Sequence, residues 1–91
     1  MRRTGRHTGG VASLRLFAAA REAAGTASDT VDGGTVAEVL AAASRRYGSA
    51  FAAQLEVCRI WVNGDPAEAD TPVADSDEVA VLPPVSGGAA R

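Results

Sequence analysis

Residues 33–48, GGTVAEVLAAASRRYG, constrain the fold more than any other stretch, because their apolar spacing has a single reading. Val36, Val39, Leu40, Ala43 and Tyr47 recur every three or four residues, which lines them along one face of a helix. Thr35 precedes that stripe and Glu38 follows three residues later. This is the pattern of a capping box, in which each side chain takes up an amide that the first helical turn leaves without a partner. Gly48 supplies the stop, and Arg45 and Arg46 suit the negative end of the helix dipole. A helix with one apolar stripe must lay it on something, and the rest of the chain offers strands rather than a second long helix.

The flanking segments alternate with period two. VASLRLF puts Leu14 and Leu16 on one face and Ser13, Arg15 and Phe17 on the other, a half-buried strand starting at Val11. AAAREAAG predicts a short helical turn closed by Gly25. A weak second strand is expected around Thr30 and Val31. SAFAAQLE reads as loose chain. VCRIWVNG reads as a strand with Cys58, Ile60 and Val62 facing one way and Asn63-Gly64 as its turn. DPAEADTPVADSD reads as a loop with a short edge strand at Glu68 and Ala69. EVAVL is the last strand, Val79 and Val81 inward, Ala80 and Leu82 outward, and Pro83-Pro84 end its pairing. The expected fold is α+β, one main helix across a small mixed sheet. The expected organisation is a flexible leader over residues 1–10, a folded domain over 11–82 and an extended tail over 83–91.

Size and composition limit the chemistry. A chain of 91 residues holds one modest core, burying somewhat more than about 60% of its unfolded surface, and has no room for a deep active site of its own. The expectation is a non-enzyme that works with a partner. A net charge of −2 gives no reason to expect nucleic acid or an anionic membrane, although MRRTGRH is locally basic, and it favours a basic protein partner. The chain contains no lysine, which excludes lysine chemistry on it. No apolar run is long enough to cross a bilayer and no hydrophobic segment follows the N-terminal charges, so the cytoplasm is the expected compartment. Cys58 is the single cysteine, and with His7 it cannot make a zinc site. Cys58 reads as a small core residue. Glu22 and the run from Asp75 to Glu78 read as solvated surface or turn residues.

Four motifs together resemble one family: LRLFAAAREAAG, TVAEVLAAA on the helix, VNGDPA at a turn, and SDEVAVLPPVSGG at the end. They are similar to the ubiquitin-like sulfur carriers of the MoaD/ThiS type, and FAAAREAAG favours the MoaD group, the small subunit of molybdopterin synthase. The likeness runs from Val11 to Gly88, and its most specific piece is PPVSGG directly after the last strand. It implies a β-grasp fold. It also implies that the terminal glycine, here Gly88, is adenylated by an E1-like adenylyltransferase that uses ATP and is converted to a thiocarboxylate. The charged tail would then enter the large catalytic subunit of molybdopterin synthase and deliver sulfur for the dithiolene. A sulfur donor protein is a further implied partner, and no cofactor is expected on the chain itself.

The tail residues suit threading. Gly87 and Gly88 carry no side chain at the tip. Pro83 and Pro84 hold the base extended, and the segment through Val85 and Ser86 to Gly88 spans roughly 20 Å at full extension. Phe17, Trp61 and Leu82 fall on the outward side of their strands and form the expected partner-binding face, unless the leader or a loop covers them. Ala89, Ala90 and Arg91 depart from the family pattern. While they are attached Gly88 has no carboxylate, so proteolytic removal by a processing protease is expected, the alternative being an uncharged variant. Other readings stay open: a carrier serving cysteine, thiamin or another sulfur metabolite, or a ubiquitin-like modifier or interaction domain.

Overall fold

The structure, a computed structural model, describes residues 11–83. The expectations for residues 1–10 and for Pro84 through Arg91 lie outside the described residues. In chain order the elements are β1 Val11–Leu16, α1 Ala18–Ala24, β2 Ser28–Asp32, α2 Val36–Tyr47, α3 Ser49–Leu55, β3 Arg59–Val62, β4 Asp65–Pro66 and β5 Glu78–Leu82. The strands form one sheet in the order β2-β1-β5-β3-β4. The β1–β5 pair is parallel and the others are antiparallel, so the sheet is mixed, and its centre is the last strand.

The alternation read from the sequence holds. Ala12, Leu14 and Leu16 of β1, Val31 of β2, and Val79 and Val81 of β5 are buried on one face. Val36, Val39 and Ala43 of α2 pack on them, joined by Ala20 of α1, Phe51 of α3 and Val73 from the loop before β5. Among the described residues no polar or charged side chain is buried, so burial costs no unpaired polar group there.

Asn63 and Gly64 both sit at positive φ, 52° and 87°, the two-residue turn whose twist matches that of paired strands. Gly48, at φ 100°, ends α2 and turns the chain directly into α3.

Three local expectations need correction. SAFAAQLE is not loose: Ser49–Leu55 is helical, because Phe51 is fully buried against neighbouring helices and tertiary packing holds a segment too short to be helical alone. The edge strand is Asp65–Pro66, not Glu68–Ala69, since the Asn63-Gly64 turn is so tight that pairing with Val62 and Trp61 begins at once. Glu68 and Ala69 instead lie in the loop that closes over the start of α2. The capping box is also altered. The Thr35 hydroxyl does accept from the Glu38 N–H (3.2 Å), but the Glu38 carboxylate takes the N–H of Gly34 (2.7 Å), one residue before the expected position. Thr35 also stands in a bridge with Pro72, flanked by hydrogen bonds from Val36 N–H to the Thr71 carbonyl and from Val73 N–H to the Gly34 carbonyl.

Candidate partner interface

Sheet register decides which outward side chains meet. Arg15 pairs with Ala80, Ala80 with Trp61, and Trp61 with Pro66, giving one continuous row across four strands. The next row pairs Leu82 with Arg59. Phe17 follows β1 in extended conformation (φ −130°, ψ 152°), and its N–H donates to the Val81 carbonyl at 3.2 Å. This contact carries the parallel ladder one step past β1 and sets Phe17 beside Leu82. Leu82 and Trp61 are diagonal neighbours on adjacent strands, within reach for side chains of this size.

The expected trio Phe17, Trp61 and Leu82 therefore shares one face, opposite the face on which the helices pack. Phe17 is 38% exposed, and Trp61 and Leu82 are half-buried. A strip of large apolar groups is thus open beside the end of β5.

Polar groups rim this strip. Arg15 Nη1 lies 3.1 Å from Glu78 Oε2 on the same face, an exposed pair of little worth to stability by itself. Arg59 stands across from Leu82, where the tail leaves the sheet. Alternation had placed Arg15 outward, but its partner Glu78 is 63 residues away and only the parallel register brings the two together.

The mount of the tail is firm. Leu82 ends a central strand held on both sides, and Pro83, exposed, is the first residue outside it. At the other end of β5 the Asp77 carboxylate accepts from the Ala74 N–H (2.8 Å) and from Asn63 Nδ2 (3.1 Å), and Asn63 Oδ1 accepts from the Glu78 N–H (2.9 Å). The Ala74 amide and then the Asn63 amide hold the Asp77 carboxyl below its ordinary range. Asp77 is thus the acceptor that fixes a turn, as its solvated position in the sequence suggests, and no second carboxylate is paired with it for acid–base work.

Other candidate chemistry finds no support. The start of α2 is closed to anions, because Val36 and Ala37 donate to the carbonyls of Thr71 and Ala69 and the next two amides are taken by Thr35. Cys58 is half-buried against the core, and burial pushes its thiol pKa up, which favours the unreactive thiol. Among the described residues no cluster of His, Cys, Asp and Glu could hold a metal ion. No described helix is long and apolar enough to cross a membrane. The tail residues assigned from sequence, Pro84, Val85, Ser86, Gly87 and Gly88, and the Ala89-Ala90-Arg91 extension, lie outside the described residues.

The sequence profile of the ThiS family matches residues 14–88. No curated protein sequence matches the chain. Among solved structures, SAMP1 from Haloferax volcanii is 30% identical, with 87% of this chain and 100% of that chain covered and a TM-score of 0.76. CysO, in the BexX/CysO complex of Amycolatopsis orientalis, is 22% identical, with 85% and 99% covered and a TM-score of 0.72. A chain in the complex of subunits 1 and 2 of the Helicobacter pylori molybdopterin-converting factor is 24% identical, with 86% and 99% covered and a TM-score of 0.63. The fold is the β-grasp, and the match spans nearly the whole described domain together with the segment that follows it.

Proposed function

The chain belongs to the ThiS family of ubiquitin-like carriers and modifiers, and from that premise we propose that it carries sulfur on the carboxylate of Gly88 for molybdopterin synthesis. The observation that carries this reading is the setting of the last strand. β5 is central, ends at Leu82 beside an open apolar strip, and leads through Pro83 into PVSGG. A partner that docks on Phe17, Trp61 and Leu82 sits beside Pro83, from which the PVSGG segment continues.

The chemistry is that of an activated acyl group. The Gly88 carboxylate attacks the α-phosphorus of ATP on an E1-like adenylyltransferase, and pyrophosphate leaves. Sulfur from a donor, at the sulfide level, then displaces AMP and leaves the thiocarboxylate. The large catalytic subunit of a molybdopterin synthase would take up the charged tail. The chain itself supplies a tip without side chains, a pair of prolines before it and a docking face, and no catalytic group.

Whatever follows Gly88 must be removed before that residue has a carboxylate, so Ala89, Ala90 and Arg91 are assigned to proteolytic processing. The test is to incubate chains ending at Gly88 and at Arg91 with activating enzyme, ATP and hydrosulfide, without protease, and to read the intact mass. The Gly88 chain is expected to exchange one oxygen for sulfur and the Arg91 chain to stay unchanged. A Gly88→Val chain ending at that position is expected to fold and to remain uncharged. Equal charging of all three would overturn the assignment.

A second reading has support in the 30% identity to SAMP1, whose name is that of an archaeal modifier protein. Under it Gly88 would be joined to amines of other proteins, since this chain has no lysine to accept it. Isopeptide-linked adducts in host extract, in the absence of thiocarboxylate, would favour modification over sulfur transfer.

A further inference from the structure

An open sheet ends in two edges, and an edge strand with free amides and carbonyls invites another strand to pair with it. β2 and β4 are the edges of this sheet. In an antiparallel pair the residues alternate, one directing both backbone groups to the neighbouring strand and the next directing both away. Ser28, Thr30 and Asp32 are the residues of β2 whose groups point away from β1, and the groups of the inner two, Ser28 and Thr30, are already occupied. The Thr26 hydroxyl donates to the Ser28 carbonyl (2.9 Å) and accepts from the Ser28 N–H (3.4 Å). The Thr30 N–H donates to Asp29 Oδ1 (2.8 Å), and the Thr30 carbonyl accepts from Arg46 Nη1 (3.0 Å).

Asp29 and Arg46 are also tied to each other and to the helix. Arg46 Nη1 lies 2.7 Å from Asp29 Oδ2, and the Tyr47 hydroxyl donates to that same oxygen. Tyr47 is in turn fixed edge-on against the buried ring of Phe51, with centroids 5.2 Å apart. The last turn of α2 thus holds the side chains that close the strand.

At the opposite edge, Val62 and Asp65 form the hydrogen-bonded pair, so the residue of β4 that faces away is Pro66, which has no N–H to offer.

We propose that Thr26, Asp29 and Arg46 guard the β2 edge against pairing with the β2 strand of a second copy of this chain, with Tyr47 positioning the carboxylate. The guard is specific in a way that general surface polarity is not, because it occupies the individual groups of Ser28 and Thr30, the stretch of β2 that a second strand would have to pair with. It leaves the open face with Phe17, Trp61 and Leu82 as the surface available to partners. The inference does not depend on the sulfur chemistry, since it concerns only what the sheet edge can bind.

The test removes the guard and reads self-association. The Asp29→Ala/Arg46→Ala double variant frees both backbone groups of Thr30. It is compared with the parent by sedimentation over a range of concentrations and by amide hydrogen exchange of residues 28–32. The variant is expected to self-associate at least about tenfold more tightly, the effect of roughly one net hydrogen bond per copy. Exchange of residues 28–32 is expected to slow as concentration rises. The same comparison in a Trp61→Ala background keeps any association through the open face out of the result. Should the double variant unfold, Arg46→Ala alone, which releases only the Thr30 carbonyl at an exposed site, is read in the same way. A folded variant that sediments and exchanges like its parent overturns the proposal. So does new association that protects residues 59–61 and 80–82 while leaving 28–32 unchanged.

Discussion

Replacing Phe51 by alanine should cost more than any other single truncation in this chain, and the reason lies in a helix that cannot stand by itself. α3 has seven residues, and an isolated helix of that length is not stable in water. Phe51 is the largest fully buried side chain, at 0% exposure, and its ring also meets Tyr47 edge to face at 66°. A buried Phe→Ala change costs about 3–5 kcal/mol, which includes the transfer of the ring and the cavity left behind. The aromatic contact accounts for about 0.5–1.5 kcal/mol of this range. At ~0.05–0.15 kcal/mol per residue, a chain of 91 residues has roughly 5–14 kcal/mol of total stability, so a large part of it is lost. Thermal unfolding followed by circular dichroism is expected to show a midpoint lower by at least about 12 °C, at ~4–8 °C per kcal/mol for a domain of this size. Urea unfolding with an unchanged m-value checks that the folded state has lost stability and not compactness. No α3 residue lies on the open face, so charging of Gly88 well below both midpoints is expected to match the parent. A loss under about 1 kcal/mol would refute the reasoning, because that is the cost of changing a surface residue and would mean that α3 does not close the core.

Two further outcomes follow from other parts of the molecule. Trp61→Ala is expected to weaken binding to the activating enzyme or the synthase subunit by about 2 kcal/mol or more, with little change in melting temperature. Titration calorimetry beside thermal unfolding checks this, and large destabilisation at unchanged affinity would place Trp61 in the core instead. Asp29 contributes to acid stability: the Tyr47 hydroxyl first, then Arg46 and the Thr30 N–H, lower its pKa from the ordinary 3.8. A pKa lowered by folding adds stability that is present above the unfolded value and is lost as pH falls through the folded value. Asp29→Asn should therefore flatten the fall in stability below about pH 4, measured as urea midpoints against the parent, and coincident curves would refute it.

Several parts of this architecture are written in the sequence because they rest on local rules. The spacing of Val36, Val39 and Ala43, the Thr35 cap and the Gly48 stop define α2 through contacts no more than a few residues apart. The alternation of Leu14 with Arg15 and of Val81 with Leu82 assigns each strand a buried and an open face, since successive side chains on a strand must point opposite ways. The same alternation foretold that Phe17, Trp61 and Leu82 would face away from the helices.

Tertiary structure alone decided which of those residues are neighbours. α3 escaped notice because four alanines and serines in SAFAAQL leave it almost no stripe, and its helix depends on the pocket that receives Phe51. The bridge of Thr35 to Pro72, 37 positions along the chain, ties the start of α2 to a loop that no local rule connects with it. The parallel pairing of β1 with β5 set Phe17 beside Leu82, and the packing of α2 brought Arg46 to Asp29 across 17 residues to close the sheet edge. Periodicity tells a side chain which face it must take, because that follows from backbone geometry within a few residues. Its partner on that face is fixed only when distant strands choose a register together, a choice made by the whole core at once.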